Sequence, residues 1–430
     1  MLQLQSLLGL GVFVGVVALM GWGMARWRRA AYVFAWRPLV GGVALQFLLA
    51  YLVLRTETGQ DVFAGLDLGV QGLLECSKTG ARAIFGNLVD FTVPTSDGGV
   101  AVTGAVFAFY VLPTILFFSA LTAIFYHLGV MQWIVAGLAW VMRRTLGTSG
   151  METLSAAANV FVGQTEAPLF VRPYLASATN SELHAVMVGG FSNIASGVLA
   201  AYIGMLTGLI PDAGSHLIAA SLISAPAGLA VAKLLVPETQ TPDTQTPSTA
   251  EPVVAKSDKP DANVIDAAAR GTTEGMHLAL NVGAMLIAFT ALVAVVNLIL
   301  GQFDEDLTLE LILGYLFVPV AWLCGIPAGE TLDVGQYIGI KTVLTEFIAF
   351  EMLSGALRDE SLVLADRSKI ITLYALCGFA NIASIAIQIG GISVLAPQRR
   401  ADLSRLGVLA MIGGTIASFM TACVVGILVA

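Results

Sequence analysis

The same seven-residue pattern occurs twice, as GFSNIAS at 190–196 and GFANIAS at 378–384. Each copy lies inside a long apolar stretch of the kind that spans a bilayer as a regular helix. Gly, Asn and Ser together interrupt such a helix, and a duplicated interruption points to a duplicated fold. Composition places the chain in a membrane. Of its 430 residues, 57% are hydrophobic and 12% charged, whereas a soluble domain carries about 25% charged residues. The long apolar runs make it an all-α polytopic protein rather than a barrel.

Eight segments are long and apolar enough to span: roughly 3–25, 38–54, 104–127, 184–208, 215–236, 277–301, 369–392 and 404–429. The first lacks the basic start and small-residue cleavage site of a signal peptide and is read as a retained helix. Residues 60–94 carry Asp61, Asp67, Glu75, Lys78, Arg82 and Asp90 among apolar positions, the pattern of a helix lying on the membrane surface. Residues 130–147, which end in Arg143 and Arg144, and residues 306–325 read the same way. Arg26, Arg28 and Arg29 follow the first span and place that end in the cytoplasm, with the N-terminus outside. Alternation from there brings Arg143, Arg144, Lys233, Arg399, Arg400 and Arg405 inside as well, and leaves the C-terminus outside. Residues 237–262 are rich in Pro and Thr and form a flexible cytoplasmic linker that divides the chain into halves. Cys76, Cys324, Cys377 and Cys423 are scattered, so neither a metal site nor a disulfide framework is indicated. His127, His184, His216 and His277 fall near expected helix ends, which suits interfacial positions.

Each heptad has an upstream companion. NVFVGQTEAPLF at 159–170 and IKTVLTEFIAFE at 340–351 both contain a Thr-Glu pair, Thr165-Glu166 and Thr345-Glu346. The span 184–208 runs outward and the span 369–392 inward, so the same pattern appears in opposite directions. That is an inverted repeat, whose substrate and ion sites lie near the midplane on discontinuous helices. Residues 152–178 contain too many interruptions for a lipid-facing span. They are expected to form a re-entrant hairpin with its tip near Gly163–Thr165. Residues 329–357 are its expected mirror image, with the tip near Lys341–Thr342. A charge at the bilayer centre costs about 3 kcal/mol on insertion scales, so Glu166 and Glu346 should face partners or a cavity. The alternatives are structural: a Glu166–Arg172 pair, a Glu346–Lys341 pair, and tight helix packing through the small residues of the heptads.

At GQTEAPL (163–169) and CGFANIAS (377–384) the sequence resembles the concentrative nucleoside transporter family. NVGAMLIAF (281–289), GIKTVLTEF (339–347) and LAPQRR (395–400) fit its bacterial members, so the resemblance covers essentially the whole chain. It implies an elevator-type homotrimer in the bacterial inner membrane that carries a nucleoside in symport with a cation, commonly Na⁺ and in some members H⁺. It implies no organic cofactor and no nucleic-acid partner. The implied division is a scaffold region at 1–147, the first half of a transport domain at 148–236, and the linker at 237–262. A connecting amphipathic helix, scaffold span and outer interfacial helix follow at 263–327, and the second transport half at 328–430. By resemblance, Gln164, Thr165, Glu166 and Val198 face the nucleobase. Glu346, Asn381 and Ser384 hold the ribose hydroxyls, and Phe379 borders the pocket. The family's Na⁺ site maps to Asn159, Val162, Asn193 and Ile194. Here the chain departs, because family members commonly have a small hydroxyl residue where it has Asn193.

The chemistry fits these assignments. An ionised glutamate accepts hydrogen bonds from vicinal ribose hydroxyls, and Asn and Ser both donate and accept. Competing readings are proton coupling through Glu166 or Glu346, a passive channel, and a membrane-embedded enzyme using the two glutamates as an acid–base pair. The enzyme reading has no metal cluster or nucleophile to support it.

Overall fold

A computed structural model describes residues 1–27, 32–89, 92–94, 100–102, 107–244, 261–304 and 306–429. Arg28, Arg29, Asp90, the start of the third expected span and most of the linker (245–260) lie outside the described residues.

The chain opens with α1 (Leu2–Trp27), α2 (Trp36–Arg55) and a long amphipathic helix, α3 (Glu57–Phe85). Two three-residue strands, Thr92–Pro94 and Val100–Val102, pair antiparallel before α4 (Phe107–His127) and α5 (Val130–Leu146). Hairpin 1 follows as α6 (Gly150–Asn159), a 3-10 turn (Ala167–Val171) and α7 (Arg172–Leu175). Then come α8 (Asn180–Ser192), α9 (Ser196–Leu206), α10 (Ala213–Leu235) and α11 (Val264–Leu300). After α12 (Leu309–Leu323), hairpin 2 comprises α13 (Thr331–Val343) and α14 (Glu346–Arg358). The chain closes with α15 (Asp366–Leu376), α16 (Ile382–Leu395) and α17 (Arg400–Leu428).

Seven described segments are long and apolar enough to cross a membrane. The difference from the expected eight lies at 369–392, which is two short helices, α15 and α16, rather than one span. Its counterpart at 184–208 is also broken, between α8 and α9. The connecting helix and the scaffold span expected separately after the linker are one continuous helix, α11, of 37 residues. At 1.5 Å per residue it reaches about 55 Å, well beyond a hydrocarbon core of about 30 Å.

The elements divide by burial. The apolar window of α10 is 89% buried and that of α11 is 0% buried. α11 packs against α4, where Gly271 and Gly275 bring the helices together: an added Cβ would lie 2.6 Å from Ala123 Cβ and 2.9 Å from Leu116 Cα respectively. α10 and α17 form the centre of the other group, against α8, α15, α1 and α2. The first two helices of the expected scaffold region are thus packed on helices of the expected transport halves. His184 and His216 also lie inside this group rather than at an interface. His184 is fully buried, and His216 Nδ1 lies 3.2 Å from the Tyr374 hydroxyl.

Two capping boxes set the first half in place. Ser149 caps α6 with Glu152 three residues on, and Thr179 caps α8 with Glu182 at the same spacing. In each, the hydroxyl and the carboxylate satisfy backbone N–H groups the helix start leaves free. Ser149 Oγ then donates to Glu182 Oε1 at 2.7 Å, joining the two boxes. Buried Lys233 pairs with Glu152 and donates to Ser181 Oγ at 2.8 Å. With their starts tied side by side, α6 and α8 run together and end close to one another, at Asn159 and Ser192.

The two heptads meet. Gly378 has φ +139°, and a Cβ there would lie 2.8 Å from the Phe191 carbonyl oxygen. Replacing Gly378 by alanine combines a disallowed φ with a backbone clash, and should cost about 2 kcal/mol or more. Gly390, within α16, has open space around its Cβ position. Thermal unfolding of purified Gly378→Ala and Gly390→Ala should show a large loss for the first and none for the second. Equal shifts would rule out the close approach.

Candidate functional site

Both heptads coincide with helix breaks, but they break different ends. Asn193 follows α8 in extended backbone (φ −123°, ψ 169°) and terminates it. Asn381 precedes α16, and its Oδ1 accepts from Ser384 N at 2.9 Å, so it starts that helix. The breaks are joined directly: Phe379 N donates to the Asn193 carbonyl at 3.2 Å.

The hairpin tips pack into these breaks. Hairpin 1 turns at Gly163 (φ +125°), where a Cβ would lie 2.7 Å from Glu166 Oε2 and 2.8 Å from Ala195 Cβ. Ser196 N, at the start of α9, donates to the Phe161 carbonyl at 3.2 Å. Hairpin 2 breaks at Leu344–Thr345, beyond the expected Lys341–Thr342. The first helix continues through those two residues to Val343, and Thr345 starts the next: its Oγ1 accepts from Ile348 N at 3.3 Å and caps α14.

Glu346, in the first turn of α14, is buried. Its Oε1 accepts from the Tyr202 hydroxyl at 3.0 Å and its Oε2 from Asn381 Nδ2 at 2.9 Å. Gln164 is also buried; its Nε2 donates to Ser384 Oγ at 3.4 Å, and its Oε1 accepts from Gln388 Nε2 at 3.1 Å. Gln388 donates to the Met187 carbonyl as well, at 3.1 Å. Through the Asn381–Ser384 cap, these contacts form one chain: Tyr202, Glu346, Asn381, Ser384, Gln164, Gln388. It draws on hairpin 1, α9, hairpin 2 and α16.

The other expected residues take varied places. Thr165 Oγ1 donates to Glu166 Oε1 at 3.1 Å, and the Glu166 side chain is exposed. No Glu166–Arg172 ion pair forms among the described residues. Nor does Lys341 bridge to Glu346; its Nζ donates to the Ala375 carbonyl at 2.8 Å. Phe379 is half-buried beside the joint, and Val198 is buried in the first turn of α9.

Asn159, Val162, Asn193 and Ile194 are all buried. Both amide atoms of Asn159 lack a hydrogen-bond partner. That is costly in a dry interior, and it suits a ligand that supplies the partner. The Asn193 amide lies against Ser224 Oγ; with its nitrogen turned toward the acceptors it donates to the carbonyls of Ser192 at 3.2 Å and Ser221 at 3.1 Å. The set offers amide and carbonyl oxygens at the C-terminal ends of α6 and α8, where the helix dipole favours a cation. All-oxygen donors suit a hard cation.

Sequence reading missed Tyr202 and the serines at 221 and 224. Tyr202 carried a signal: it lies one turn after Val198 (i, i+4) and, beyond Ser196 at the start of α9, is the one hydroxyl among that helix's apolar residues. The serines carried none, because small polar residues are common in packed membrane helices.

Three family models match the sequence: "Na+ dependent nucleoside transporter N-terminus" over 8–88, "Nucleoside recognition" over 108–208 and "Na+ dependent nucleoside transporter C-terminus" over 216–426. An uncharacterized transporter of Haemophilus influenzae is 42% identical over 99% of this chain and 98% of its own. The structure of CNTnw in an inward-facing substrate-bound state superposes with a TM-score of 0.89 at 41% identity, covering 100% of this chain and 98% of that one. The chain belongs to the concentrative nucleoside transporter family. It is a multi-pass membrane transporter and not an enzyme. Human solute carrier family 28 member 3 is 42% identical over 91% of this transporter. Rat sodium/nucleoside cotransporter 1 is 40% identical over 99% of it. The chain spans 56% of the human protein's length and 64% of the rat protein's.

The Tyr202–Glu346 contact is a buried hydrogen bond to an acidic side chain. Tyr202→Phe should destabilise the transporter by roughly 1–3 kcal/mol. Combined with Glu346→Gln it should show a coupling energy above about 0.5 kcal/mol. Thermal unfolding of the two single variants and the double variant measures it, and strict additivity would dissolve the pair.

Proposed function

We propose that this transporter imports nucleosides such as uridine, cytidine and adenosine by symport with Na⁺. The observation that carries the reading is the polar chain from Tyr202 to Gln388, assembled at the meeting point of two helix breaks and two hairpin tips. Glu346, Asn381 and Ser384 hold the ribose: a carboxylate accepts from the hydroxyls, and amide and hydroxyl groups complete their pairing. Gln164, Thr165, Glu166 and Val198 face the base, and Phe379 borders it. The partners these residues share without substrate are then exchanged for substrate hydroxyls and ring atoms. Asn159, Val162, Asn193 and Ile194 bind the cation. The unpartnered Asn159 amide supports this, and the longer Asn193 side chain takes the place of the family's usual small hydroxyl.

Movement follows from packing. The hairpins, α8–α10 and α15–α17 form the travelling unit, with α1 and α2 carried on α10 and α17. The exposed α11 and its partner α4 belong to the stationary scaffold. Three copies assemble through the scaffold in a bacterial inner membrane, with both termini outside. CNTnw structures in inward- and outward-facing states support alternating access in the family.

Uptake of labelled uridine into proteoliposomes tests the reading. Uptake should saturate and exceed equilibrium when an inward Na⁺ gradient is imposed. Glu346→Gln should lower uptake efficiency roughly 100-fold, about 3 kcal/mol of lost recognition. Asn159→Ala should raise the half-saturating Na⁺ concentration about tenfold, roughly 1.4 kcal/mol. Uptake driven by a proton gradient and indifferent to Na⁺ would replace Na⁺ by H⁺. Mere equilibration would identify a channel, and chemical conversion without accumulation an enzyme.

A further inference from the structure

The two halves treat the same structural problem differently. In the first, α6 and α8 end side by side: a Cβ on Gly189, in the last turn of α8, would lie 3.5 Å from Asn159 Nδ2 at the end of α6. An α-helix ends with carbonyl oxygens that lack an intrahelical N–H partner, and its dipole puts negative charge there. No Lys or Arg occurs from 145 to 171 or from 173 to 232. These two stretches therefore bring no basic side chain of their own to the negative ends, and the Asn159 amide among them is unpartnered.

In the second half, α13 and α15 make the corresponding pair of ends. The last turn of α13 carries Lys341, whose side chain is fully buried. Its ammonium donates at 2.8 Å to the carbonyl of Ala375, in the last turn of α15. The Phe419 ring centroid lies 6.0 Å away and adds a second electron-rich face. Among the described residues, the last turns of α13 and α15 carry no unpartnered polar side chain. Asn159 precedes its hairpin's Thr-Glu pair by six residues and Lys341 by four, so both reach across to the neighbouring half-helix from the same part of the repeat.

We infer that the Lys341 ammonium is a built-in cation occupying the second-half counterpart of the first-half ion site, and so limits coupling to one ion per nucleoside. The inference rests on the cation site proposed above. A fixed ammonium satisfies the same carbonyls and dipoles as a mobile ion but never dissociates. The second half therefore holds its broken helix to its hairpin in every state, while the first half does so only with its ion bound. Lys341 acts on coupling as a positioning residue, with no contact to substrate.

The ratio of Na⁺ to uridine, read from the membrane potential at which net uridine flux vanishes, tests this. The native transporter should give one, and Lys341→Arg should keep that value. Lys341→Ser removes the ammonium and leaves a hydroxyl and space. Its ratio should rise to two, with a steeper Na⁺ dependence of uptake. A second measurement needs no transport: the thermal midpoint of purified protein in NaCl against choline chloride. The Na⁺-specific shift should be larger for Lys341→Ser than for the native protein. A native ratio of two overturns the inference. So does a Lys341→Ser protein whose ratio and Na⁺-specific shift match the native ones. If uridine uptake ignores every cation gradient, the coupling proposal fails by itself, and the paired midpoints still decide whether Lys341 fills an ion site.

Discussion

One hydrogen bond organises the centre of this transporter. The N–H of Phe379 reaches the carbonyl of Asn193, so the irregular backbone of one broken helix is satisfied by the irregular backbone of the other. Unpaired peptide groups at membrane depth are expensive, and neither break could exist beside lipid. Each supplies part of what the other lacks. The approach requires Gly378, because any side chain there would meet the Phe191 carbonyl. The first hairpin's tip is held beside this joint through Ser196 and Phe161, and the buried glutamate through Asn381.

The heptads match in sequence but not in structural role. Asn193 ends a helix whose C-terminus points into the site, whereas Asn381 begins a helix whose N-terminus points there. A C-terminus favours a cation and an N-terminus favours acceptors and anions. That difference in polarity gives the two copies different chemistry. The Asn381 side chain satisfies its own helix through Oδ1 and Glu346 through Nδ2, whereas the Asn193 amide lies among Ser192, Ser221 and Ser224.

Support for this centre comes from a distance. The joined capping boxes at Ser149–Glu152 and Thr179–Glu182, held by Lys233, fix the starts of α6 and α8. Because an α-helix is stiff over three turns, fixing two starts side by side also fixes where the ends meet. The buried charge at Lys233 is tolerated because carboxylate and hydroxyl partners surround it. A structural task at one end of the helices thereby determines the geometry of a functional one at the other.

Much of this was legible in the sequence. Low charge and long apolar runs established a helical membrane protein, and the duplicated heptads located both helix breaks. The pairing of Glu346 with Asn381 and of Gln164 with Ser384 joins residues that motif reading had already selected. The tip of hairpin 2 was displaced by a few residues, since α13 runs on to Val343 and the cap at Thr345 starts the next helix. The part played by Tyr202, the fate of Lys341 and the packing of α1 and α2 on α10 and α17 were decided by tertiary structure alone. Local sequence determines where a helix must stop, because glycine, caps and polar interruptions act within a turn. Which free group at that stop meets which partner depends on contacts between residues up to hundreds of positions apart, and only the folded chain brings them within hydrogen-bonding distance.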